Sequence, residues 1–133
     1  MTLGVRAAVF DRAGRIFLVR HSYTPGWYMP GGGVEPGEPL RKALVRELAE
    51  EGGIALTGPS QLFEVYWNAH ASPRDHVALY VCRAWEQVRP PPRNIEIVDS
   101  GFFRPEELPA ETTDATRRRL AEIAGEMEPT AEW

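Results

Sequence analysis

The sequence predicts an α/β fold in which a mixed β-sheet is covered by helices on both faces. Runs of β-type residues fill the start of the chain, return after one amphipathic helical segment, and are followed by a second helical segment near the end. Such an order suits a sheet that buries both of its faces. With 133 residues, the chain is expected to form one domain, residues 1–133, that buries about two-thirds of its unfolded surface.

The first elements are expected to be strands and a glycine-rich loop. Residues 5–10 and 15–20 are β-type runs separated by a turn signal, which predicts a hairpin or near-hairpin. Residues 27–29 are interpreted as a short strand. Residues 30–33, Pro-Gly-Gly-Gly, are expected to close it as a loop whose glycines let the backbone come close to a ligand or metal.

One amphipathic helix is predicted from Pro39 to Glu51. Proline suits the first turn of a helix, and Gly52 and Gly53 supply its end. Four apolar residues recur at helical spacing and are expected to face the core: Leu40, Ala43, Leu44 and Leu48.

The same helix carries three carboxylates on one face. Glu47, Glu50 and Glu51 stand at positions i, i+3 and i+4, so their like charges repel. Arg46 can offset only part of that charge. A hard divalent cation, which takes oxygen ligands, is the natural occupant of such a site. Taken alone, the cluster could also be a solvated acidic helix face.

The second half of the chain is predicted to hold further strands and a closing helix. The expected strands lie at 54–56, within 61–69, within 76–85 and within 95–103. The three prolines at 90–92 are expected to form a stiff loop.

The closing helix is predicted over residues 113–124. Leu120 and Ile123 are expected on its buried side, and Arg117 to Arg119 mostly outward. The tail, residues 126–133, is expected to be frayed and flexible.

Composition and charge restrict the class of function. A hydrophobic content of 43% is ordinary for a globular protein, and the net charge of −4 argues against the basic face that stable nucleic-acid binding needs. No segment approaches the roughly 20 apolar residues of a membrane span. The single cysteine, Cys82, fits a reducing compartment. We therefore expect a soluble, cytoplasmic protein that contacts neither membranes nor nucleic acid stably.

The segment from Gly32 to Ile54 resembles a complete Nudix box. The box fixes a series of glycine, glutamate, arginine and aliphatic positions, and the chain has every one. They are Gly32, Glu38, Arg46, Glu47, Leu48, Glu50, Glu51, Gly53 and Ile54. Nudix hydrolases depend on magnesium or manganese and cut a pyrophosphate in nucleoside diphosphates linked to another group. The resemblance also implies an α/β/α sandwich, with the mixed sheet between helices.

The resemblance implies roles for individual residues. The expected ligands of Mg²⁺ or Mn²⁺ are Glu47, Glu50, Glu51 and the main-chain carbonyl of Gly31. Arg46 would orient the glutamates through a salt bridge, and Glu38 would stabilise the loop or support the ligands from outside. The residues expected to carry the reaction are Glu47, Glu50, Arg46 and Glu96.

The general base has two candidate positions. One is Glu47, in the helix itself, and the other is Glu96, which precedes the last predicted strand. Glu96 could equally be a surface glutamate on an edge strand. Asp75 and Glu64 are weaker candidates for the same role.

Substrate contacts are harder to assign from sequence. Aromatic residues on β-like runs could stack on a base, although such residues more often belong to the core. These are Trp27, Trp67, Tyr80 and Phe103. Phosphate contacts could come from Arg6, Arg20 and Arg83. The histidines at 21, 70 and 76 lack the spacing of a metal site, and no role is predicted for them.

Two classes of function therefore stay open. The favoured one is a pyrophosphohydrolase that directs water at phosphorus in a small nucleotide, either a nucleoside triphosphate or a nucleotide sugar. The alternative is a catalytically silent Nudix-fold module that binds nucleotide or protein. Silent modules are expected to lose carboxylates of the box, and none is missing here. Either form is compatible with a homodimer.

Overall fold

A computed structural model of residues 1–133 contains eight β-strands and two α-helices. In chain order they are β1 (Thr2–Val9), β2 (Ile16–His21), β3 (Gly31–Gly33), α1 (Leu40–Gly52), β4 (Ile54–Leu56), β5 (Gln61–Trp67), β6 (Asp75–Cys82), β7 (Trp85–Gln87), β8 (Ile97–Phe103) and α2 (Asp114–Ile123). A short 3₁₀ helix, Pro105–Glu107, precedes α2. Neither α-helix is long and apolar enough to cross a membrane.

The largest sheet is mixed and has four strands in the order β3-β1-β6-β5. Strands β1 and β6 run parallel in its centre, paired from Thr2 opposite Asp75 to Val9 opposite Cys82. Strands β3 and β5 are antiparallel to their neighbours and form the edges. Two antiparallel pairs, β2–β8 and β4–β7, complete the strand layer.

Side chains of β1 alternate between two cores. Val5, Ala7 and Val9 belong to the clusters that pack against α1, whereas Ala8 lies in the opposite cluster with Leu120 of α2. This alternation follows from the two-residue period of a strand. Helices therefore cover both faces of the sheet, and the predicted α/β/α sandwich is confirmed.

The helix α1 begins one residue after Pro39, close to the predicted start. It ends at Gly53, which has a left-handed backbone with φ of 63° and donates its N–H to the Ala49 carbonyl. Glycine suits this cap because it has no Cβ to strain that conformation. Of the four predicted core residues, Ala43, Leu44 and Leu48 are buried, and Leu40 packs at the margin.

The predicted N-terminal hairpin is reduced to one bridge. Phe10 pairs with Ile16, and the rest of β2 pairs instead with β8, from Ile16 opposite Phe103 to His21 opposite Ile97. The short turn fits a hairpin, but the apolar side chains of β2 are completely buried, and a distant strand supplies their backbone partners. Local sequence carries no information about such a partner.

The glycine run is a strand rather than a loop. Residues 27–29 form only isolated bridges, and Gly31–Gly33 pairs with β1. A Cβ on Gly31 would collide with the carbonyl oxygen of Val5, so only glycine allows this close approach. The glycines do allow another group to come close to the backbone, as the sequence predicted, but in this structure that group is the backbone of β1.

Strands β4, β5 and β8 lie within the predicted runs. The run expected within 76–85 corresponds to β6, which begins at Asp75 and ends at Cys82. Strand β7 shares only Trp85 with that run, leaves the large sheet and pairs with β4. The three prolines at 90–92 connect β7 to β8 outside regular structure.

The end of the tail at 126–133 is hydrogen-bonded to the sheet, contrary to the expectation that the segment is frayed, although most of its residues are exposed. The N–H of Trp67 donates to the Ala131 carbonyl at 2.8 Å, and the N–H of Trp133 donates to the Trp67 carbonyl at 2.9 Å. The Trp133 ring meets Tyr66 edge-on, with centroids 5.3 Å apart. The segment thus contacts the edge strand β5. Its polar sequence did not predict this contact.

Arg119 is completely buried, although the sequence predicted that it faces outward. Its guanidinium donates to Glu122 Oε2 at 2.9 Å and lies 4.4 Å from the Tyr66 ring centroid, and the Tyr66 hydroxyl donates to Glu122 Oε1 at 2.7 Å. Burial acts to raise the pKa of Glu122, but hydrogen bonds from Tyr66 and Arg119 outweigh it and hold the pKa below its ordinary value. A hydrogen-bonded charge pair is therefore part of the core beneath α2, although Nε of Arg119 has no hydrogen-bond partner.

We expect the Glu122→Gln variant to lose about 3 kcal/mol of unfolding free energy at neutral pH, because Arg119 would be buried without a counter-charge. Urea denaturation measures this, with the exposed Glu128→Gln as control. The lowered pKa means that the Glu122 contribution is complete above the unfolded value of 4.5 and is lost as pH falls through the folded value. A difference between the variants that does not shrink in acid would contradict a charge effect.

Candidate functional site

One cavity collects the carboxylates that the sequence singled out. It has a volume of about 600 Å³ and lies between α1, β3 and the residues that lead into β8. Its walls include Glu47, Glu50, Glu51, Glu96, Gly31 and Gly32. We call it the carboxylate cavity. The fold thus brings Glu96 to the helix glutamates, 45 positions or more away in sequence, whereas Asp75 and Glu64 lie outside this cavity.

The three helix glutamates differ in exposure. Glu50 is exposed, with 59% of its side chain accessible, whereas Glu47 is half-buried and Glu51 is buried. Burial raises the pKa of Glu47, and the neighbouring carboxylate of Glu51 raises it further. Burial likewise raises the pKa of Glu51, against the opposing effect of the Gly31 N–H. The site therefore concentrates negative charge where water screens it poorly.

Arg46 connects α1 to the loop that precedes it. Its guanidinium donates twice to Glu38, at 2.8 and 2.9 Å, and once to Glu47 Oε1, at 2.9 Å. It also donates to the Gly33 carbonyl at 3.1 Å. The hydrogen bond from Arg46 is the main reason that the pKa of Glu38 falls to about 2. Arg46 thereby fixes one oxygen of Glu47 and ties down the loop.

Glu51 is held from two sides. Its Oε1 accepts the N–H of Gly31 at 2.8 Å, and its Oε2 lies 2.8 Å from Nε2 of His21. Hydrogen bonds from Ala7 to Pro30 and from Val34 to Leu3 frame the β1–β3 ladder. By the alternation of an antiparallel pair, the Gly31 carbonyl then points away from β1, on the same side as its N–H. A main-chain oxygen and a buried carboxylate therefore face the same side of the strand.

His21 is a site residue that the sequence analysis missed. Burial, aided by the charge of Arg6, lowers its pKa and so favours the neutral ring. In that state Nε2–H donates to Glu51 and Nδ1 accepts from the Tyr23 hydroxyl at 3.2 Å. His21 lies where the β2–β8 register shifts, and such an irregularity re-aims a side chain. Its partner is 30 positions away, beyond any spacing rule.

The donor set fits the chemistry of a hard divalent cation. Three carboxylates and a main-chain carbonyl offer only oxygen ligands, and a cation would offset the repulsion among them. No three His, Cys, Asp or Glu side chains converge closely enough in this structure to hold a metal ion. The reason is visible in the contacts, since Glu47 is bound by Arg46, and Glu51 by Gly31 and His21.

A second cavity of about 360 Å³ lies beside the first. It shares four lining residues with the carboxylate cavity: His21, Tyr23, Gly31 and Gly32. Its other walls come from Arg6, Tyr28 and Trp133 and from the first turn of α2. We call it the aromatic cavity.

The aromatic residues that line this cavity differ from those expected. None of Trp27, Trp67, Tyr80 and Phe103 borders either cavity. Trp27 and Phe103 pack edge-on against each other in the core, with centroids 5.1 Å apart. Among the predicted phosphate-contacting arginines, Arg6 borders the aromatic cavity, whereas Arg20 and Arg83 border neither.

Comparisons with known proteins agree on the family. A family model described as NUDIX domain matches residues 1–123. The crystal structure of a MutT NUDIX hydrolase from Burkholderia pseudomallei is similar, with a TM-score of 0.77 and 32% identity, and the match covers 92% of this chain and 97% of that one.

Two curated relatives match over shorter stretches. An RNA pyrophosphohydrolase of Dinoroseobacter shibae is 46% identical over 54 residues, 39% of this chain and 34% of the relative. A CTP pyrophosphohydrolase of Escherichia coli is 49% identical over 57 residues, 40% of this chain and 42% of the relative. The chain thus spans well under half the length of each of these relatives.

The two adjacent glycines of β3 provide a matched test of the site. A Cβ on Gly32 would lie 2.5 Å from Glu47 Oε1, whereas a Cβ on Gly33 would meet nothing within 4 Å. We expect Gly32→Ala to displace the Glu47 carboxylate and to weaken Mn²⁺ binding at least about tenfold, as changes beside metal ligands do. Gly33→Ala should bind normally. Electron paramagnetic resonance titration measures the affinities, and equal values for the two variants would contradict this geometry.

Proposed function

The chain belongs to the NUDIX domain family, and on that basis we propose that it is a metal-dependent pyrophosphohydrolase acting on a nucleoside diphosphate linked to another group. One observation carries the proposal, namely that four glutamates from two distant segments line a single cavity beside a glycine strand. The names of the relatives, RNA pyrophosphohydrolase and CTP pyrophosphohydrolase, support the same reaction class.

The glutamates of α1, the neighbouring Arg46 and the glycines of β3 have separate roles in this proposal. Glu47, Glu50, Glu51 and the Gly31 carbonyl would hold Mg²⁺ or Mn²⁺, which when bound neutralises phosphate charge and lowers the pKa of water. Arg46 keeps Glu47 in one orientation, supported by its paired hydrogen bonds to Glu38. Gly31 and Gly32 leave the strand without side chains, so a phosphate group can approach the backbone closely.

We propose Glu96 as the general base that takes the proton from the attacking water. Its side chain is exposed to the carboxylate cavity and has no hydrogen-bond or ion-pair partner, so it is free to accept a proton. Glu47 is the competing candidate, but Arg46 already occupies one of its oxygens. A base must lie within hydrogen-bond reach of the proton that it removes, directly or through one water.

A small nucleotide is the substrate class that we favour, either a nucleoside triphosphate or a nucleotide sugar. Two adjoining cavities of about 600 and 360 Å³ are in the size range of small-molecule sites. One relative is named for RNA, yet a net charge of −4 disfavours a long polyanion. A free nucleotide carries only its own few phosphates, so the net charge of the protein opposes its binding less than that of a long polyanion.

Replacing Glu50 by Gln is the direct test of the metal assignment. We expect kcat to fall at least about 100-fold, because the metal ion beside the reacting phosphate would lose a negatively charged ligand. The side chain is mostly exposed, so the fold should be unchanged, and the exposed Glu86→Gln serves as control.

The assay follows the nucleoside monophosphate formed from nucleoside triphosphates, nucleotide sugars, ADP-ribose and dinucleoside polyphosphates, each with Mg²⁺, Mn²⁺ or chelator. Near-normal turnover by the Glu50→Gln variant, or turnover that survives chelator, would contradict the proposal.

The Glu96→Gln variant separates the two candidate bases. If Glu96 takes the proton, kcat falls by about 100-fold with little change in KM, in the range typical of general-base loss. Steady-state kinetics with the best substrate of the panel measures both constants. An unchanged kcat would return the role of base to Glu47.

A further inference from the structure

We propose that Trp133 forms a wall of the subsite that holds the nucleobase, so that the packed tail helps to select the substrate. The inference rests on the proposed function, since it assigns the part of the nucleotide that lies beyond the phosphates. It adds a specificity-determining residue that stands 79 positions after the end of the box, at Ile54.

The first argument is the position of the aromatic cavity. It shares His21, Gly31 and Gly32 with the carboxylate cavity, so a ligand whose phosphates lie beside the glutamates can extend into it directly. A volume of about 360 Å³ is at the small end of the range for ligand sites, and a single flat ring system with its sugar is of that class.

The second argument is the chemistry of the walls. Tyr28 and Trp133 present aromatic surface, and the hydroxyls of Thr113 and Thr116 lie on the α2 side. Nucleobases combine a flat π-face with polar edges, and stacking on an aromatic side chain is a general way to bind them. The Tyr28 ring already contacts His21, with centroids 5.1 Å apart, and Arg6, at 5.4 Å. Trp133 is the only tryptophan that lines this cavity.

The third argument is that Trp133 is rigidly placed. Its backbone pairs with Trp67, and the buried Arg119 guanidinium lies 5.3 Å from its ring centroid. Arg119 also donates to the Glu132 carbonyl at 3.1 Å and to the Thr130 hydroxyl at 3.0 Å. An aromatic wall that is already ordered costs little further conformational entropy when a ligand binds. The tail therefore presents an aromatic surface that is already in place for a nucleobase.

A purely structural role is the competing explanation, because Trp133 also packs on Tyr66. The two explanations differ in what they predict for ligands. A structural residue affects stability and all ligands alike, whereas a stacking residue affects only ligands that carry a base.

The test compares Trp133→Ala and Trp133→Phe with the wild-type protein by calorimetry. The probes are GMP, CMP and UMP, which lack an anhydride to cleave, and ribose 5-phosphate, which lacks a base, all with Mg²⁺. We expect Trp133→Ala to weaken at least one nucleotide about tenfold, the scale of one lost stacking contact, and to leave ribose 5-phosphate within about twofold. Trp133→Phe, which keeps a ring, should lose no more than about threefold.

Two further measurements keep the inference testable if Trp133→Ala unfolds. Nucleotide should quench the tryptophan fluorescence of the wild-type protein and of Trp85→Phe, whose indole is outside both cavities, but much less that of Trp133→Phe. Ala115→Phe, which fills the cavity from α2, should weaken nucleotides and spare ribose 5-phosphate.

The inference is overturned if Trp133→Ala and the wild type bind the nucleotides with equal affinity, or if the variant loses as much affinity for ribose 5-phosphate as for the nucleotides. It is also overturned if the wild-type protein binds none of the three nucleotides. Hydrolysis distinguishes the two proposals. A wild-type protein that hydrolyses nothing but binds nucleotide through Trp133 refutes the proposed function alone. Turnover with unchanged KM in Trp133→Ala refutes this inference alone.

Discussion

Electrostatic repulsion among three carboxylates on one turn of α1 is the constraint on which the rest of the structure depends. The fold places Glu47 and Glu51 where water screens them poorly, and burial raises the pKa of both. Each is then held by a separate partner, Glu47 by Arg46 and Glu51 by the Gly31 N–H and His21. Glu50 makes only a longer ion pair with Arg46, at 3.7 Å, and remains exposed. The site is thus kept in order by partners that cancel only part of its charge.

The sheet supplies those partners because its edge strand consists of glycine. Gly31 approaches β1 more closely than any residue with a Cβ could, and its outward N–H thereby reaches Glu51. Gly32 leaves room for the Glu47 carboxylate. Because the glycines of β3 have no side chains, the strand packs closely on the backbone of β1 on one side. For the same reason it leaves space for the glutamate carboxylates on the other side. The strand therefore connects the stability of the sheet to the geometry of the cavity.

The sequence predicted what is encoded over short distances. Glycine and proline signals located α1 to within one or two residues, and the spacing of Glu47, Glu50 and Glu51 singled out residues that line one cavity. Interactions between distant segments were not predictable, because no local period reports them. His21 reaches Glu51 across 30 positions, and Trp133 reaches Tyr66 across 67. Arg119 was expected in solvent because arginine usually is, and its burial follows from a counter-charge and a tail that only the fold brings near.

The parallel pairing of β1 with β6 has a consequence for biosynthesis. Thr2 and Asp75 are register partners, so the first strand made is completed only after residues 75–82 have left the ribosome. Until then one edge of β1 has no backbone partner, although α1 and β3 are already made, and the loop that must close is long and costs entropy before any contact repays it. A nascent chain of this protein therefore passes through a stage in which an apolar strand has an open edge, the kind of surface that chaperones bind and that aggregates when crowded. Since β5 also pairs with β6, two strands of the large sheet wait for the same later segment of the chain.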